Sequence, residues 1–377
     1  MKIGILTYHR AHNYGAVFQA YALMKYLQKL DLEVEFLDYW PLYRQGMYDM
    51  IDTSFFKERT GTKRKIKRIG KLLLIFPEKA IRYAKFQKFI KRNFSICKSF
   101  SPLKGGNIPS SFDIVVYGSD QIWRYNKFPK FVGYDPVYWG EFPTNKRMKK
   151  VAYAASMGFA RIIEGHEEIL AKYLKNFDLI SVREQQMCSL LQPMTEKTIY
   201  HVLDPVFLLD QLDWDLMVSR KLHVPDKYLL LYNLSNSLKA IELANKISKL
   251  HGYRVIEITG EIRPFRNPFK TRQSAGPMDF ISLISKASFV ISTSFHGVAF
   301  SLVYKKQFFA LGMNDNADRV HSLLDCLQIP ERYLEHTHEF TNCPDINYSK
   351  VYELLHREKG KSKRFLGDVL EVTKSCR

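Results

Sequence analysis

The sequence predicts an α/β fold of two doubly wound units, with a basic helical insertion in the first and a helical segment closing the chain. Short apolar runs alternate with helical periodicity over most of the 377 residues, the pattern of parallel strands joined by right-handed crossovers. The alternation comes as two series, before and after residues 210–225. Roughly 100–200 residues per domain also suits two units.

In the first series, residues 2–7 form an apolar run expected to be a buried strand. Residues 16–30 place Val17, Ala20, Tyr21, Met24 and Leu27 on one helical face. Residues 33–38 return as a strand, and the basic insertion follows. Further strands are expected at 112–117, 151–155, 178–181 and 198–202, with helices between the later ones. The second series reads strand 228–232, helix 236–250, strand 254–258, helix 278–286, strand 289–293, helix 295–304, strand 307–311 and helix 318–327. Residues 348–372 read as a closing helix. The expected domains are 1–215, carrying the insertion at 57–95, then 220–345, then the helical segment 346–377.

Composition narrows the class. Hydrophobic residues make up 46% and charged residues 25%, which excludes wholesale disorder. The longest apolar runs, such as 72–76, fall far short of the ~20 residues a membrane span requires. The chain turns polar after Leu6, unlike a secretory signal, so a cytoplasmic protein is expected. Five cysteines, with no C-x-x-C pair, favour a reduced chain without metal or disulfide roles. The net charge is +19, and much of it is concentrated. Residues 57–92 hold 14 Lys/Arg against Glu58 and Glu78, a net +12. Such a block is compatible with a solvated insertion, an anionic membrane face or nucleic acid. No zinc-finger, RRM or KH pattern supports nucleic acid. Ile66, Ile69, Leu72 and Leu73, then Phe86, Phe89 and Ile90, recur at helical spacing and predict one or two basic amphipathic helices.

Ligands of doubly wound sheets bind beyond the carboxyl ends of strands. After the first strand comes Tyr8-His9-Arg10-Ala11-His12-Asn13-Tyr14-Gly15-Ala16, which opens a helix with Asn13 as its cap. This is neither a Walker A loop nor a G-x-G-x-x-G turn. Ile291-Ser292-Thr293-Ser294-Phe295-His296-Gly297 runs from strand into helix and offers hydroxyls, an imidazole and backbone donors to a phosphate. Gly118-Ser119-Asp120-Gln121-Ile122-Trp123 ends another strand; Asp120 is an acid/base candidate and Trp123 a sugar-stacking candidate. Arg183 and Arg319 follow strand ends and suit anions. Asp204-Pro205 reads as a turn or as a chemical carboxylate. Asp213-Trp214-Asp215 reads as helix capping rather than a metal site, His9 and His12 lack zinc spacing, and no G-x-S-x-G elbow exists.

Taken in order, His12-Asn13-Tyr14-Gly15-Ala16 with Gln19-Ala20-Tyr21-Ala22-Leu23, Gly118-Ser119-Asp120-Gln121-Ile122-Trp123, Ser181-Val182-Arg183-Glu184, Leu203-Asp204-Pro205-Val206-Phe207-Leu208-Leu209, Ser294-Phe295-His296-Gly297 and Phe300-Ser301-Leu302 resemble the polysaccharide pyruvyl transferase family. The resemblance runs from residue 1 to about 330 and implies a GT-B-like pair of Rossmann-type domains facing a cleft. It further implies transfer of pyruvate from phosphoenolpyruvate (PEP) to two sugar hydroxyls as a cyclic ketal; no cofactor is expected beyond PEP as donor substrate, and no residue is assigned to a metal. By similarity, Arg183 and His296 contact PEP. Two positions depart from the family pattern. Arg124 replaces an asparagine, which bears on the acceptor, and Ser294 replaces an arginine, a charge that Arg319 is expected to supply. On this reading His296, Ser294, Gly297 and Arg319 receive the phosphate and Arg183 the carboxylate. His296 and Asp120 are the catalytic pair, and Asn13, Gly15 and Trp123 shape the acceptor side. The acceptor is expected to be a capsular, exopolysaccharide or cell-wall hexose, galactose favoured, carried on a lipid diphosphate such as undecaprenyl diphosphate, with residues 57–92 on the inner membrane face and no nucleic acid bound. The alternatives are a nucleotide-sugar glycosyltransferase of the same architecture and a non-enzymatic basic protein that binds polysaccharide or membrane.

Overall fold

The structure, a computed structural model, describes residues 1–50, 62–97, 111–141, 148–219, 222–264, 269–313 and 317–374. Residues 57–61 of the basic block and Cys376 therefore lie outside the described residues.

Parallel strands covered on both faces read as continuous apolar runs, and central strands such as Ile114–Tyr117 and Tyr228–Asn233 do so. In the first unit these are β1 (Lys2–Leu6), β2 (Glu33–Leu37), β3 (Ile96–Cys97) and β4 (Ile114–Tyr117). A small antiparallel hairpin follows, β5 (Asn126–Phe128) and β6 (Phe131–Gly133), and then β7 (Lys149–Ala155), β8 (Leu179–Val182) and β9 (Ile199–His201). Seven of these pair in parallel in the order β3-β2-β1-β4-β7-β8-β9. The second unit holds β10 (Tyr228–Asn233), β11 (Arg254–Thr259), β12 (Lys270–Thr271), β13 (Phe289–Ser292), β14 (Gln307–Leu311) and β15 (Tyr333–Leu334). They pair in parallel in the order β12-β11-β10-β13-β14-β15. In both sheets the strand order thus reverses once, between β1 and β4 and between β10 and β13. Such switch points open a crevice at the strands' carboxyl ends.

The helices are α1 (Tyr14–Gln28), α2 (Thr62–Asn93), α3 (Glu167–Leu174), α4 (Gln185–Leu191) and α5 (Gln211–Asp215). They continue with α6 (Leu238–His251), α7 (Pro277–Lys286), α8 (Phe295–Val303), α9 (Asp318–Cys326) and α10 (Tyr348–Lys374). Local chemistry sets their ends. α1 begins two residues before the apolar pattern because the Asn13 carboxamide accepts from the Ala16 N–H at 3.3 Å. In α5 the Asp213 carboxylate accepts from the Asp210 N–H at 3.0 Å, so the Asp-Trp-Asp stretch is a cap. The basic block forms one helix, α2, with Pro77 inside it.

One hydrophobic cluster runs through both units. Tyr14 stacks on Phe280 of α7 at 5.0 Å, and Phe18 meets Phe300 of α8 edge-on at 5.0 Å. α1 is thereby clamped against the second unit with its N-terminus held at the junction. α2 adds a second clamp: Phe86, Phe89 and Ile90 are buried, Arg82 donates to the carbonyls of Thr259 (3.0 Å) and Gly260 (3.1 Å), and Lys85 pairs with Asp279 at 2.7 Å. α10 ties the units again. Ser362 Oγ accepts from the Leu203 N–H at 2.9 Å, and the Tyr352 hydroxyl donates to the Val303 carbonyl at 2.9 Å.

Candidate active site

A cavity of about 380 Å³ opens where the two switch points face each other. Four strand ends wall it. Tyr8, Ala11, Asn13 and Ala16 come from the β1 end; Asp120, Gln121 and Arg124 from the β4 end; Leu234 and Ser235 from the β10 end; Thr293, Ser294, Phe295 and His296 from the β13 end. Arg44, Tyr48, Met313 and Arg319 complete the wall. α1 and α8 both start here. The first N–H groups of a helix have no partner one turn back and carry the positive end of its dipole, so two such ends favour an anion.

His296 sits in the first turn of α8 and is 5% exposed. Its Nε2 lies 3.5 Å from Asp204 Oδ2, and the same oxygen accepts from Arg183 Nη1 at 2.7 Å. The imidazole and the guanidinium therefore flank one carboxylate. Burial would push the Asp204 carboxyl up, but the nearby His296 and Arg183 overcome this and hold it at about 2. Its other oxygen accepts from the Val206 N–H at 3.0 Å, so Asp204 also serves the turn that its Asp-Pro sequence suggests. Gly15 completes the support of the ring. A Cβ there would lie 2.5 Å from His296 Cε1 and 2.7 Å from Cγ, so only glycine leaves the imidazole in place. Gly297 has a parallel reason: its Cβ would lie 2.8 Å from both Ser292 Cβ and Tyr232 Cδ1.

The remaining expected residues divide. Ser294, Asp120, Asn13 and Arg319 line the cavity with His296. The Ser294 hydroxyl does not cap α8. Asp120 adopts a left-handed φ of 76°, and its Oδ1 accepts from the Gln121 N–H at 2.8 Å. Burial, and then the like charge of Arg183, lower the Arg319 guanidinium to about 10. Two expectations are corrected. Arg183 is not on the cavity wall: its side chain is 2% exposed and committed to Asp204, with the Phe295 ring 5.0 Å from its guanidinium carbon. Trp123 offers no sugar-stacking surface. It is fully buried, stacked on Trp139 at 4.2 Å, and its Nε1 donates to the Tyr138 carbonyl at 3.1 Å.

Sequence reasoning missed Arg44. It lies after β2, the strand beside β1, in an aromatic-rich loop of Trp40, Tyr43 and Tyr48. Its guanidinium sits 3.9 Å from the Tyr8 ring centre, Nη2 donates to the Tyr8 hydroxyl at 2.8 Å, and Nε is buried with no hydrogen-bond partner. A basic residue among aromatics beside the first strand end was the available signal.

Comparison with known proteins adds the following. No curated protein matches the chain. The chain is similar to a UDP-GlcNAc 2-epimerase of Methanocaldococcus jannaschii in complex with UDP-GlcNAc and UDP, at 11% identity and a TM-score of 0.48, over 99% of this chain and 100% of that one. It is similar to a UDP-N-acetylglucosamine 2-epimerase of Rickettsia bellii at 14% identity and 0.41, over 99% and 97%. An alpha-glucosyltransferase in complex with UDP and DNA aligns at 11% identity and 0.45, over 99% of each chain. The sequence profile of one family, polysaccharide pyruvyl transferase, matches residues 13–315. That match starts at the cap of α1, takes in Asp120, Arg183, Asp204 and His296, and covers most of the chain, which therefore belongs to the polysaccharide pyruvyl transferase family.

Proposed function

We propose that this transferase moves pyruvate from PEP onto two hydroxyls of a hexose in a polysaccharide repeat unit. Galactose as a 4,6-ketal is the favoured product, and the acceptor is carried on a lipid diphosphate. The observation that carries this reading is the convergence of two helix N-termini and the Asp204-held His296 on one cavity, a setting built for a small, highly charged anion. His296, Ser294, Arg319 and the N–H groups of α8 receive the phosphate, with Gly297 allowing α8 its close seat. Since Arg183 is buried against Asp204 and off the cavity wall, the carboxylate goes to Arg44, which lines the cavity. Arg183 becomes a positioning residue, acting through Asp204 on His296. Asn13, Asp120 and Arg124 face the sugar.

The chemistry follows from this placement. An acid protonates the PEP methylene carbon and leaves an oxocarbenium-like centre at C2. One hydroxyl adds there and gives its proton to Asp120, and phosphate departs. The neighbouring hydroxyl closes the ketal, its proton leaving with phosphate. Preorganised donors around the departing phosphate contribute about 3–4 kcal/mol each to lowering the barrier. Incubation with PEP and a panel of free and lipid-linked hexosides should release one phosphate per ketal formed, with the matching mass gain on the sugar. Consumption of a nucleotide sugar, with PEP untouched across the panel, would replace this reading with the glycosyltransferase alternative.

A further inference from the structure

Helix α2 is inverted relative to a surface helix of a soluble protein. Its C-terminal half is anchored by Phe86, Phe89 and Ile90. Its N-terminal half turns apolar side chains outward: Ile66 is 64% exposed, Leu73 70% and Leu74 66%, with Ile69 and Phe76 also exposed, and Ile81 continues the series just past the midpoint. At 3.6 residues per turn, these positions fall within one broad stripe. Contiguous exposed apolar surface of this kind marks a contact site. Lys67 and Lys71 are exposed beside the stripe, and Lys85, Lys88 and Lys91 are exposed further along the helix. Among the described residues no helix is long and apolar enough to cross a membrane, which leaves contact parallel to a surface.

We propose that the N-terminal half of α2 docks on an anionic lipid bilayer, its apolar stripe in the headgroup–acyl boundary and its lysines on the lipid phosphates. Charge chooses this occupant. The block from 57 to 92 carries a net +12, and each basic residue near an anionic surface contributes about 1 kcal/mol. A second copy of the chain is disfavoured, because symmetric pairing would set two such blocks face to face. The docked helix also adjoins the cavity: Gln87 lies 3.0 Å from His12 Nε2, and His12 neighbours the cavity residue Asn13. Docking would bring the cavity mouth near the membrane, where a lipid-linked acceptor resides.

The test is co-sedimentation of the full chain with vesicles, with neither PEP nor sugar present, so it succeeds or fails independently of the transfer reading. Binding is expected to mixed phosphatidylglycerol–phosphatidylcholine vesicles and not to pure phosphatidylcholine. Leu73→Glu with Leu74→Glu should weaken it at least about tenfold, with an unchanged circular dichroism spectrum and melting point. Ile66→Gln with Ile69→Gln gives an independent reading of the same stripe if the glutamate pair misfolds. Leu212→Glu with Leu216→Glu, exposed elsewhere, should bind as the parent does. Equal binding by the stripe variants, no binding by the parent, or a stripe-dependent dimer that ignores vesicles would each overturn the proposal.

Discussion

Replacing Asp204 with alanine is expected to destabilise the chain by about 3–5 kcal/mol and to abolish turnover, because it breaks a buried ion pair and leaves one charge behind. Arg183 would lose its 2.7 Å partner and keep only the longer pairing of Nε with Glu184 Oε1 at 3.6 Å. His296 would lose the carboxylate beside Nε2. The same group should give stability an acid limb. Asp204 is held at about 2 against an ordinary 3.8, so its contribution is fully present above the ordinary value and is lost as pH falls through about 2. Linkage sets that contribution at roughly 2 kcal/mol. Alanine costs more than this because deletion also leaves the buried guanidinium with Glu184 alone, 3.6 Å from its Nε. Urea unfolding of parent and variant at neutral pH, and of the parent down the acid range, measures both effects. An alanine variant within about 1 kcal/mol of the parent would mean that Asp204 does not hold the site together.

The second large effect is expected at Gly15. Alanine at this position should lower kcat about 100-fold, the cost of moving a catalytic group by about 1 Å, while costing only about 1–3 kcal/mol of stability. The backbone of α1 accepts alanine here; the obstacle is the His296 ring, 2.5 Å from the new carbon at Cε1. Gly367→Ala in α10, where a Cβ meets nothing within 4 Å, is the control and should leave turnover unchanged. Steady-state kinetics with PEP separate the outcomes. A fall in kcat places the ring in the chemical step, a rise in KM alone places it in binding, and parental kinetics would remove the Gly15–His296 contact from the mechanism.

Much of the architecture was legible because buried parallel strands announce themselves as apolar runs. β14 coincides with the run at 307–311, and α8 starts at the expected Phe295. The two-residue strands β3, β12 and β15 at or near the sheet edges, and the short β5–β6 hairpin, are too brief for any periodicity to register. At the site, strand-end position found Asn13, Asp120, Ser294 and His296, since topology alone places those residues over the crevice. Position does not reveal which way a side chain turns: Trp123 stands at a strand end, where a sugar-stacking ring is expected, yet packs inward on Trp139. Nor does it reveal pairing across strands. Arg183 and Asp204 lie 21 residues apart and meet because β8 and β9 are neighbours. The Asp-Pro sequence pointed to a turn, and Asp204 does serve one, with the oxygen that Arg183 does not use.

The most direct measurement is calorimetric titration of the purified chain with PEP, beside a UDP-sugar, in the parent and in His296→Ala. The expected result is saturable PEP binding by the parent, at least about tenfold weaker binding by the variant as a charge-assisted contact is lost, and no heat from the nucleotide sugar. Tight binding of the nucleotide sugar with none of PEP, or PEP binding indifferent to His296, would contradict the assignment of this cavity to the three-carbon donor.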